Sequence, residues 1–247
     1  MRLVLLGSTG YHPNEIRHTP CLVLPELGVV LDAGTAMFRL RDHLLTRELS
    51  IFLTHAHLDH VVGLTFLFDV LYQRPAKQVV VYTEADKLAA IQEHLLSPLL
   101  FPAKLPCEYR ELPAAGVDLP QGGRLTHFPL AHPGGSLGFR LDWPGHSLAY
   151  VTDTTADPAA EYVESIRGVD LLIHECYFSD AHQERAALTG HSCTTPVAQV
   201  ARAAGAGRLV LTHLNPLIAE LDPIGLDVAR AIFPQTDLGV DQMELEF

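Results

Sequence analysis

Short apolar runs alternate with longer mixed stretches along most of the chain. The runs are three to seven residues long, and several are rich in Val and Ile, which predicts buried β-strands. We predict strands at Met1–Leu6, Cys21–Leu24, Val29–Leu31, Ile51–Leu53, Val79–Val81, Arg124–Leu130, Leu137–Leu141, Leu148–Val151, Leu171–Ile173 and Leu209–Leu211.

The stretches between these runs have helical features. We predict helices at Thr35–Leu45, His60–Tyr72, Glu84–Leu95, Pro158–Ile166, Pro196–Ala204 and Ile224–Phe233. At the fifth helix, Thr194 or Thr195 can cap the start, and Gly205 suits the residue after the end. Strands that alternate with helices predict an α/β fold. The proline-rich segment Leu95–Leu119 fits either a lid or a surface connection packed on the core.

Length and composition favour a single domain over residues 1–247. The 48% of apolar residues suffice for a core, and no polar linker divides the chain. No apolar run approaches the roughly 20 residues that span a bilayer, so we expect a cytoplasmic protein with no membrane partner. The four cysteines show no C-x-x-C spacing, which argues against a zinc ribbon and a disulfide framework.

The charge balance bears on the class of substrate. Acidic residues number 29 and basic residues 17, for a net charge of -12, and the Lys and Arg residues form no run. Proteins that grip nucleic acid usually present a basic face to the phosphates. The balance therefore argues against a large polyanionic substrate, although a basic patch can still assemble in space.

Four of the predicted strands end just before a residue that can bind a metal. These residues are His55, His132, Asp153 and His213. In α/β sheets, ligands bind just beyond the carboxyl ends of the strands. One histidine in such a place is usually structural, but four residues of this kind together indicate a site.

The first of these strands continues as His55-Ala56-His57-Leu58-Asp59-His60. Residues two apart in an extended chain point the same way, so His55 and His57 can bind one ion. The two oxygens of Asp153 can bridge two ions about 3.5–4 Å apart. We therefore assign one ion to His55, His57, His132 and Asp153, and the other to Asp59, His60, His213 and Asp153. The alternative, a solvated histidine-rich turn, is disfavoured by the specific H-x-H-x-D-H spacing.

In order and spacing, these seven residues resemble the metal motifs of the metallo-β-lactamase superfamily, over nearly the whole chain. The resemblance implies a four-layer αβ/βα sandwich with the metals at one edge of the two sheets. Zinc suits the His-rich ligand set, and manganese or iron also accepts these ligand types.

Further segments resemble the ribonuclease Z-like members of this superfamily. They are Leu6–Gly10 with Pro13 and Arg17, Asp170–Glu175, and Gly190-His191-Ser192. This resemblance implies phosphodiester chemistry, in which His191 lies beside the metals and assists the phosphate or the leaving group. Ser192 either donates to a phosphate oxygen or helps to cap the next helix. Glu175 either orients His191 or lies at the surface, and Asp59 binds a metal and can accept a proton from the attacking water.

One departure from the tRNA-processing members concerns the third and fourth motifs, between which those enzymes carry an arm that clasps tRNA. Here His132 and Asp153 are only 21 residues apart, and the gap holds one predicted hairpin, Ser136–Leu141 with Ser147–Val151. The compact layout resembles small cyclic-phosphate phosphodiesterases. We therefore predict a small or cyclic phosphodiester as substrate and argue against nucleic acid.

Other functions are alternatives to this prediction. One is a ribonuclease Z-like endonuclease that processes tRNA 3′ ends, and another is a lactone, thioester or sulfate-ester hydrolase with the same metal cage. A non-enzymatic module is disfavoured because the cage is intact. The resemblance also implies a homodimer.

Overall fold

The computed structural model describes residues 1–72, 76–218 and 220–247. They form two compact units, Met1–Ala114 with Asp241–Glu246, and Ala115–Val240 with Phe247. In the described residues each unit is built on a seven-stranded sheet. The expectation of a single domain over the whole chain stays a prediction.

The sheet of the first unit has the strand order β14-β1-β2-β3-β4-β5-β6. Its strands are β1 (Arg2–Gly7), β2 (Cys21–Leu24), β3 (Val29–Leu31), β4 (Glu48–Phe52), β5 (Gln78–Thr83), β6 (Glu108–Glu111) and β14 (Met243–Glu246). Strands β3 to β6 are parallel, and the pairs from β14 to β3 are antiparallel. Ile51 in β4 lies opposite Val30 on one side and Val81 on the other, so the centre of the sheet is apolar.

Helical segments of the first unit cover one face of its sheet. They are a 3-10 segment at Thr35–Asp42, α1 (Leu58–Val61), a second 3-10 segment at Val62–Phe66, α2 (Leu67–Leu71), and α3 (Ala85–Ala90), which continues as a π turn at Ile91–Leu95. Val4, Ile51 and Val81 pack with Met37 and Leu64 in this layer. Leu5 and Phe52, on the opposite face, are buried as well. Burial of both faces explains why these strands are continuous apolar runs instead of alternating patterns.

The sheet of the second unit has the strand order β13-β12-β11-β10-β9-β8-β7. Its strands are β7 (Val117–Leu119), β8 (Gly123–Leu130), β9 (Ser136–Trp143), β10 (His146–Val151), β11 (Leu171–Glu175), β12 (Arg208–Thr212) and β13 (Thr236–Leu238). Strands β10 to β13 are parallel, and β8 runs in the same direction because both β8 and β10 are antiparallel to β9. The carboxyl ends of β8, β10, β11 and β12 therefore meet at one edge.

Helices of the second unit are α4 (Tyr162–Ser165), α5 (Gln183–Thr189), α6 (Thr194–Ala204) and α7 (Leu226–Ile232). Helix α6 ends before Gly205, whose φ of 64° suits glycine, as predicted. The predicted threonine cap is wrong. The Thr194 hydroxyl donates to the Ile224 carbonyl, and Asp180 accepts from the N–H and hydroxyl of Thr195, so an acidic side chain outside the helix satisfies its first turn.

Most predicted elements are confirmed in position, although several predicted helices are shorter or of 3-10 type. The hairpin between His132 and Asp153 is confirmed as β9 and β10, with His146 opposite Trp143. The segment Leu95–Leu119 contains β6 and β7, each paired in a sheet, which favours a connection over a lid. Within the described part of the chain, no helix has the length and apolar character needed to cross a membrane.

Candidate metal centre

The first unit positions four of the predicted ligands just beyond β4. The chain stays extended through His57, which has φ −66° and ψ 146°, and then enters α1 with Asp59 and His60. The ring centroid of His55 lies 4.5 Å from that of His57 and 4.3 Å from that of His60. Asp59 Oδ2 is 3.5 Å from His60 Nε2. The structure therefore brings the residues of the predicted H-x-H-x-D-H motif together in this unit.

Asp32, which the sequence analysis missed, orients two of these histidines. It follows β3, is fully buried, and accepts hydrogen bonds from the Thr54 N–H (2.8 Å) and hydroxyl (3.0 Å). Its Oδ2 also accepts from His60 Nδ1 at 2.8 Å. Because the Thr54 hydroxyl donates to Asp32, it accepts from His55 Nδ1 at 3.0 Å. Both rings thus keep the Nε2 lone pair for a metal, an arrangement common around metal-binding histidines.

The glycine turn after β1 holds Asp59. The backbone N–H of Tyr11 donates to Asp59 Oδ2 at 2.7 Å. The turn itself is fixed by Asp241, which accepts from the N–H and hydroxyl of Ser8 and from the N–H of His18. These contacts give the predicted turn a structural role, to orient a carboxylate at the site.

The second unit places three predicted ligands at the edge where its parallel strands end. His132 follows β8, Asp153 follows β10 and His213 follows β12. Asp153 Oδ2 lies 3.6 Å from His132 Nε2, and Asp153 Oδ1 lies 3.2 Å from His213 Nε2. Each carboxylate oxygen therefore faces a different histidine, as a bridging ligand requires. Asp153 and His213 have positive φ angles of 46° and 55°, and such strained residues cluster at functional sites.

The spacing of these atoms fits a divalent metal ion. Zinc binds histidine nitrogen and carboxylate oxygen at about 2.0–2.2 Å, so two ligand atoms of a tetrahedral site lie roughly 3.3–3.6 Å apart. The ligand-atom distances within each unit, 3.2 to 3.6 Å, lie at or close to this range. They are longer than the usual 2.9–3.0 Å of an N–H···O hydrogen bond.

The protonation of His132 also suits metal binding. Burial lowers the pKa of His132, so the ring is neutral at pH 7. Its Nδ1 donates to the Gly190 carbonyl at 2.9 Å, which leaves Nε2 as the ligand atom. A metal binds the neutral imidazole, so no proton must be displaced from this residue.

His191 lies among the ligands of the second unit. Its ring centroid is 5.1 Å from that of His132 and 5.3 Å from that of His213. Tyr177 stacks on it at 4.8 Å with an interplanar angle of 17°. Asp153, His191 and His213 each offer a ligand atom within 4.8 Å of the others.

Glu175, at the end of β11, fixes the His191 ring. The carboxylate is fully buried, and its Oε1 accepts from His191 Nδ1 at 3.0 Å. The same carboxylate accepts from the N–H groups of Thr154 (2.8 Å) and Ser192 (3.2 Å). Of the two alternatives for Glu175, orientation of His191 thus agrees with the contacts, and a surface position does not.

Two neighbouring side chains have structural contacts. The Ser192 hydroxyl is buried, donates to the Thr154 carbonyl at 2.6 Å and accepts from the Ala156 N–H at 2.9 Å. These bonds weigh against Ser192 as a phosphate ligand, and that assignment stays a prediction. His174 contacts the Tyr162 hydroxyl at 3.1 Å and the Glu175 carbonyl at 2.8 Å, and burial lowers its pKa.

Comparison with known proteins identifies the family. A family model described as a beta-lactamase superfamily domain matches residues 29–214. A ribonuclease Z of Trichodesmium erythraeum is 30% identical over 310 residues, covering 100% of this chain and 95% of that protein.

Two solved structures share the fold. The metallo-beta-lactamase fold protein YhfI of Bacillus subtilis has a TM-score of 0.82 and 19% identity, with 99% of both chains covered. The short form of human tRNase Z has a TM-score of 0.77 and 23% identity, with 100% of this chain and 99% of that chain covered.

The Trichodesmium erythraeum relative contains residues that this chain lacks. The alignment has 310 positions and this chain has 247 residues, which leaves 63 positions, 310 less 247, without a counterpart here. The alignment nonetheless spans 95% of the relative. The shared sequence and fold confirm the predicted α/β fold class and the predicted enzyme class, a metal-dependent phosphodiester hydrolase. The chain therefore belongs to the metallo-β-lactamase superfamily, in its ribonuclease Z-like branch.

Proposed function

We propose that this chain hydrolyses phosphodiester bonds of RNA with two divalent metal ions, and that a precursor tRNA is its first candidate substrate. The observation that carries the proposal is the His191–Glu175 pair beside Asp153 and His213. The kinship with a ribonuclease Z over the full chain supports RNA as the substrate class. Nucleic acid, which the charge balance argues against, thereby becomes the leading substrate class.

This proposal keeps the two ligand sets assigned from the sequence. One ion takes His55, His57, His132 and Asp153, and the other takes Asp59, His60, His213 and Asp153. Zinc is the first candidate for both sites, and manganese or iron is acceptable to the same ligand types. Ions bound there would lower the pKa of a water towards about 7 and offset charge on the phosphate oxygens.

Asp59 and His191 move the protons. Asp59 is held through Oδ2 by the Tyr11 N–H and accepts a proton from the attacking water. The oxygen of this water attacks phosphorus while the bond between phosphorus and the leaving oxygen breaks. The leaving oxygen then takes a proton from the His191 imidazolium. The buried carboxylate of Glu175 stabilises the imidazolium and keeps the ring in place.

A second candidate function, hydrolysis of small or cyclic phosphodiesters, is favoured by the length of the chain. Only the hairpin of β9 and β10 separates His132 from Asp153, and 63 aligned positions of the relative have no counterpart. Fewer residues are then available to grip a large polyanion, and the net charge is -12. The homodimer and the cellular location stay predictions.

A substrate panel tests both candidates. The metal-loaded protein is compared on a precursor tRNA, bis-p-nitrophenyl phosphate, a cyclic nucleotide, a cyclic ribose phosphate and a lactone, with kcat/KM as the measure. The proposal expects accurate cleavage at the 3′ side of the precursor with the highest kcat/KM. Faster turnover of the small diesters would establish the second candidate instead. A lactone preferred over every diester would overturn both.

A further inference from the structure

Tyr11 combines an exposed aromatic ring with a fixed backbone. The residue follows the glycine turn after β1 and is 72% exposed. Its N–H donates to Asp59 Oδ2 at 2.7 Å, so its backbone is tied to a proposed metal ligand. The ring therefore begins only a short distance from the carboxylate that would face the scissile phosphate.

The fold does not account for an aromatic side chain at this position. Tyr11 has a φ of 62°, a left-handed conformation that glycine or asparagine adopts at lower cost. The ring gains little burial in return, because it makes an edge contact with His12, at 5.2 Å and 61°, and the residue stays exposed. Non-glycine residues held in such conformations cluster at functional sites.

The surroundings favour a planar apolar ligand over a charged one. Leu58, the neighbour of Asp59 in sequence, is 68% exposed. The loop Gly7–His18 contains one Lys or Arg residue, Arg17, which is buried. Affinity at this edge of the site must then come mainly from apolar and stacking contacts, not from phosphate neutralisation. Bases stack on exposed aromatic rings with little dependence on sequence.

We propose that the ring of Tyr11 is a stacking platform for the base of the nucleotide next to the scissile phosphate. The inference rests on the proposed function, because it assumes a nucleotide in this site. It adds a subsite for the base, and it makes Tyr11 a residue that distinguishes nucleotide esters from esters without a base.

The test uses two ligands that differ only in the base, adenosine 5′-monophosphate and ribose 5-phosphate. Calorimetry measures their Kd with the metal-loaded wild type, Tyr11→Phe and Tyr11→Asn. Asparagine tolerates the positive φ and keeps the N–H bonded to Asp59, so only the ring is removed. Metal content and melting temperature should be unchanged in both variants.

Tyr11→Asn should raise the Kd of adenosine 5′-monophosphate by about 5- to 140-fold. This range corresponds to about 1–3 kcal/mol of stacking free energy at 1.4 kcal/mol per tenfold change in Kd. Ribose 5-phosphate should change by less than about twofold, and Tyr11→Phe should bind both ligands nearly as the wild type does. Equal losses on the two ligands, no loss on either, or a Phe variant as weak as the Asn variant would each overturn the platform.

Hydrolysis of methyl p-nitrophenyl phosphate separates this inference from the proposed function. This diester has no base, so its cleavage by the wild type reports on the metal chemistry alone. Absent cleavage with ring-dependent nucleotide binding would sink the proposed function and keep the platform. Normal cleavage, together with nucleotide binding that does not depend on the Tyr11 ring, would keep the proposed function and overturn the platform.

Discussion

Replacement of Asp241 by Ala should destabilise the first unit and loosen its metal ligands. The carboxylate accepts four hydrogen bonds, from the N–H and hydroxyl of Ser8, the N–H of His18, and the Arg39 guanidinium. The side chains of Asp241 and Arg39 are only 8% and 16% exposed. Removal of one partner of a buried ion pair costs about 3–5 kcal/mol, because the remaining charge stays buried without its counter-ion.

The same geometry predicts that Asp241→Asn lowers the free energy of unfolding by an intermediate amount. The amide oxygen can still accept at one side of the group, while the NH2 faces donors on the other side. We expect a loss of about 1.5–3 kcal/mol, the range for one hydrogen bond to a charged group. Asp142→Ala is the control, since Asp142 also pairs with an arginine, Arg140 at 2.9 Å, but is 44% exposed. An exposed pair of this kind contributes under about 1 kcal/mol.

Urea denaturation followed by far-ultraviolet circular dichroism, in chelator, measures these differences. Amide hydrogen exchange at Ser8 and His18 should accelerate in Asp241→Ala, because both N–H groups lose their acceptor. The loosened turn carries the Tyr11 N–H that holds Asp59, so metal retention should also fall. The reasoning would be refuted if Asp241→Ala lowered the free energy of unfolding no more than Asp142→Ala does and left amide hydrogen exchange at Ser8 and His18 unchanged.

Three further outcomes are expected. Asp153→Ala should reduce the metal content, measured by plasma mass spectrometry, from near two ions per chain to below one. His213→Ala should lose about one ion. Two ions retained by Asp153→Ala would contradict a bridging role for Asp153. His191→Ala should keep both ions and lose roughly 10²–10⁴-fold in kcat on an alkyl phosphodiester, but less on a nitrophenyl ester; equal losses would point to phosphate binding. Burial lowers the pKa of His174 below 6.5, so the unfolded chain takes up a proton there as pH falls while the folded chain does not. The urea midpoint of the chelated wild type should therefore fall more steeply below pH 6.5 than that of His174→Gln, and parallel curves would exclude this contribution.

The strands that sequence reasoning missed are the four edge strands of the two sheets. Strands β14 and β6 end one sheet, and β13 and β7 end the other. Their sequences, such as Glu108–Glu111 and Met243–Glu246, carry charges instead of an apolar run. An edge strand has one neighbour and is often covered on fewer sides, and charged residues there discourage pairing with other chains. Apolar runs therefore reveal the interior of each sheet but not its borders.

The candidate metal ligands can be found in the sequence because four of them follow buried strands and the other three belong to the H-x-H-x-D-H motif. The residues that orient them were harder to find. Asp32 and His60 are 28 residues apart, Tyr11 and Asp59 are 48 apart, and Ser8 and Asp241 are 233 apart. No local pattern encodes such bonds. Asp32 did carry one usable indication, since it too follows a buried strand.

The chemistry of the second unit depends on sheet register, whereas the choice of substrate depends on loops. In the parallel sheet Val151 lies opposite His174, and Glu175 lies opposite Thr212. This register sets Asp153, Glu175 and His213 at adjacent strand ends, and a slip of one residue would turn the side chains to the other face. The packed strands on both sides oppose such a slip. Tyr11, in the loop after the glycine turn, is 72% exposed, so its side chain has no such constraint and can change with the substrate without any change in the candidate metal ligands.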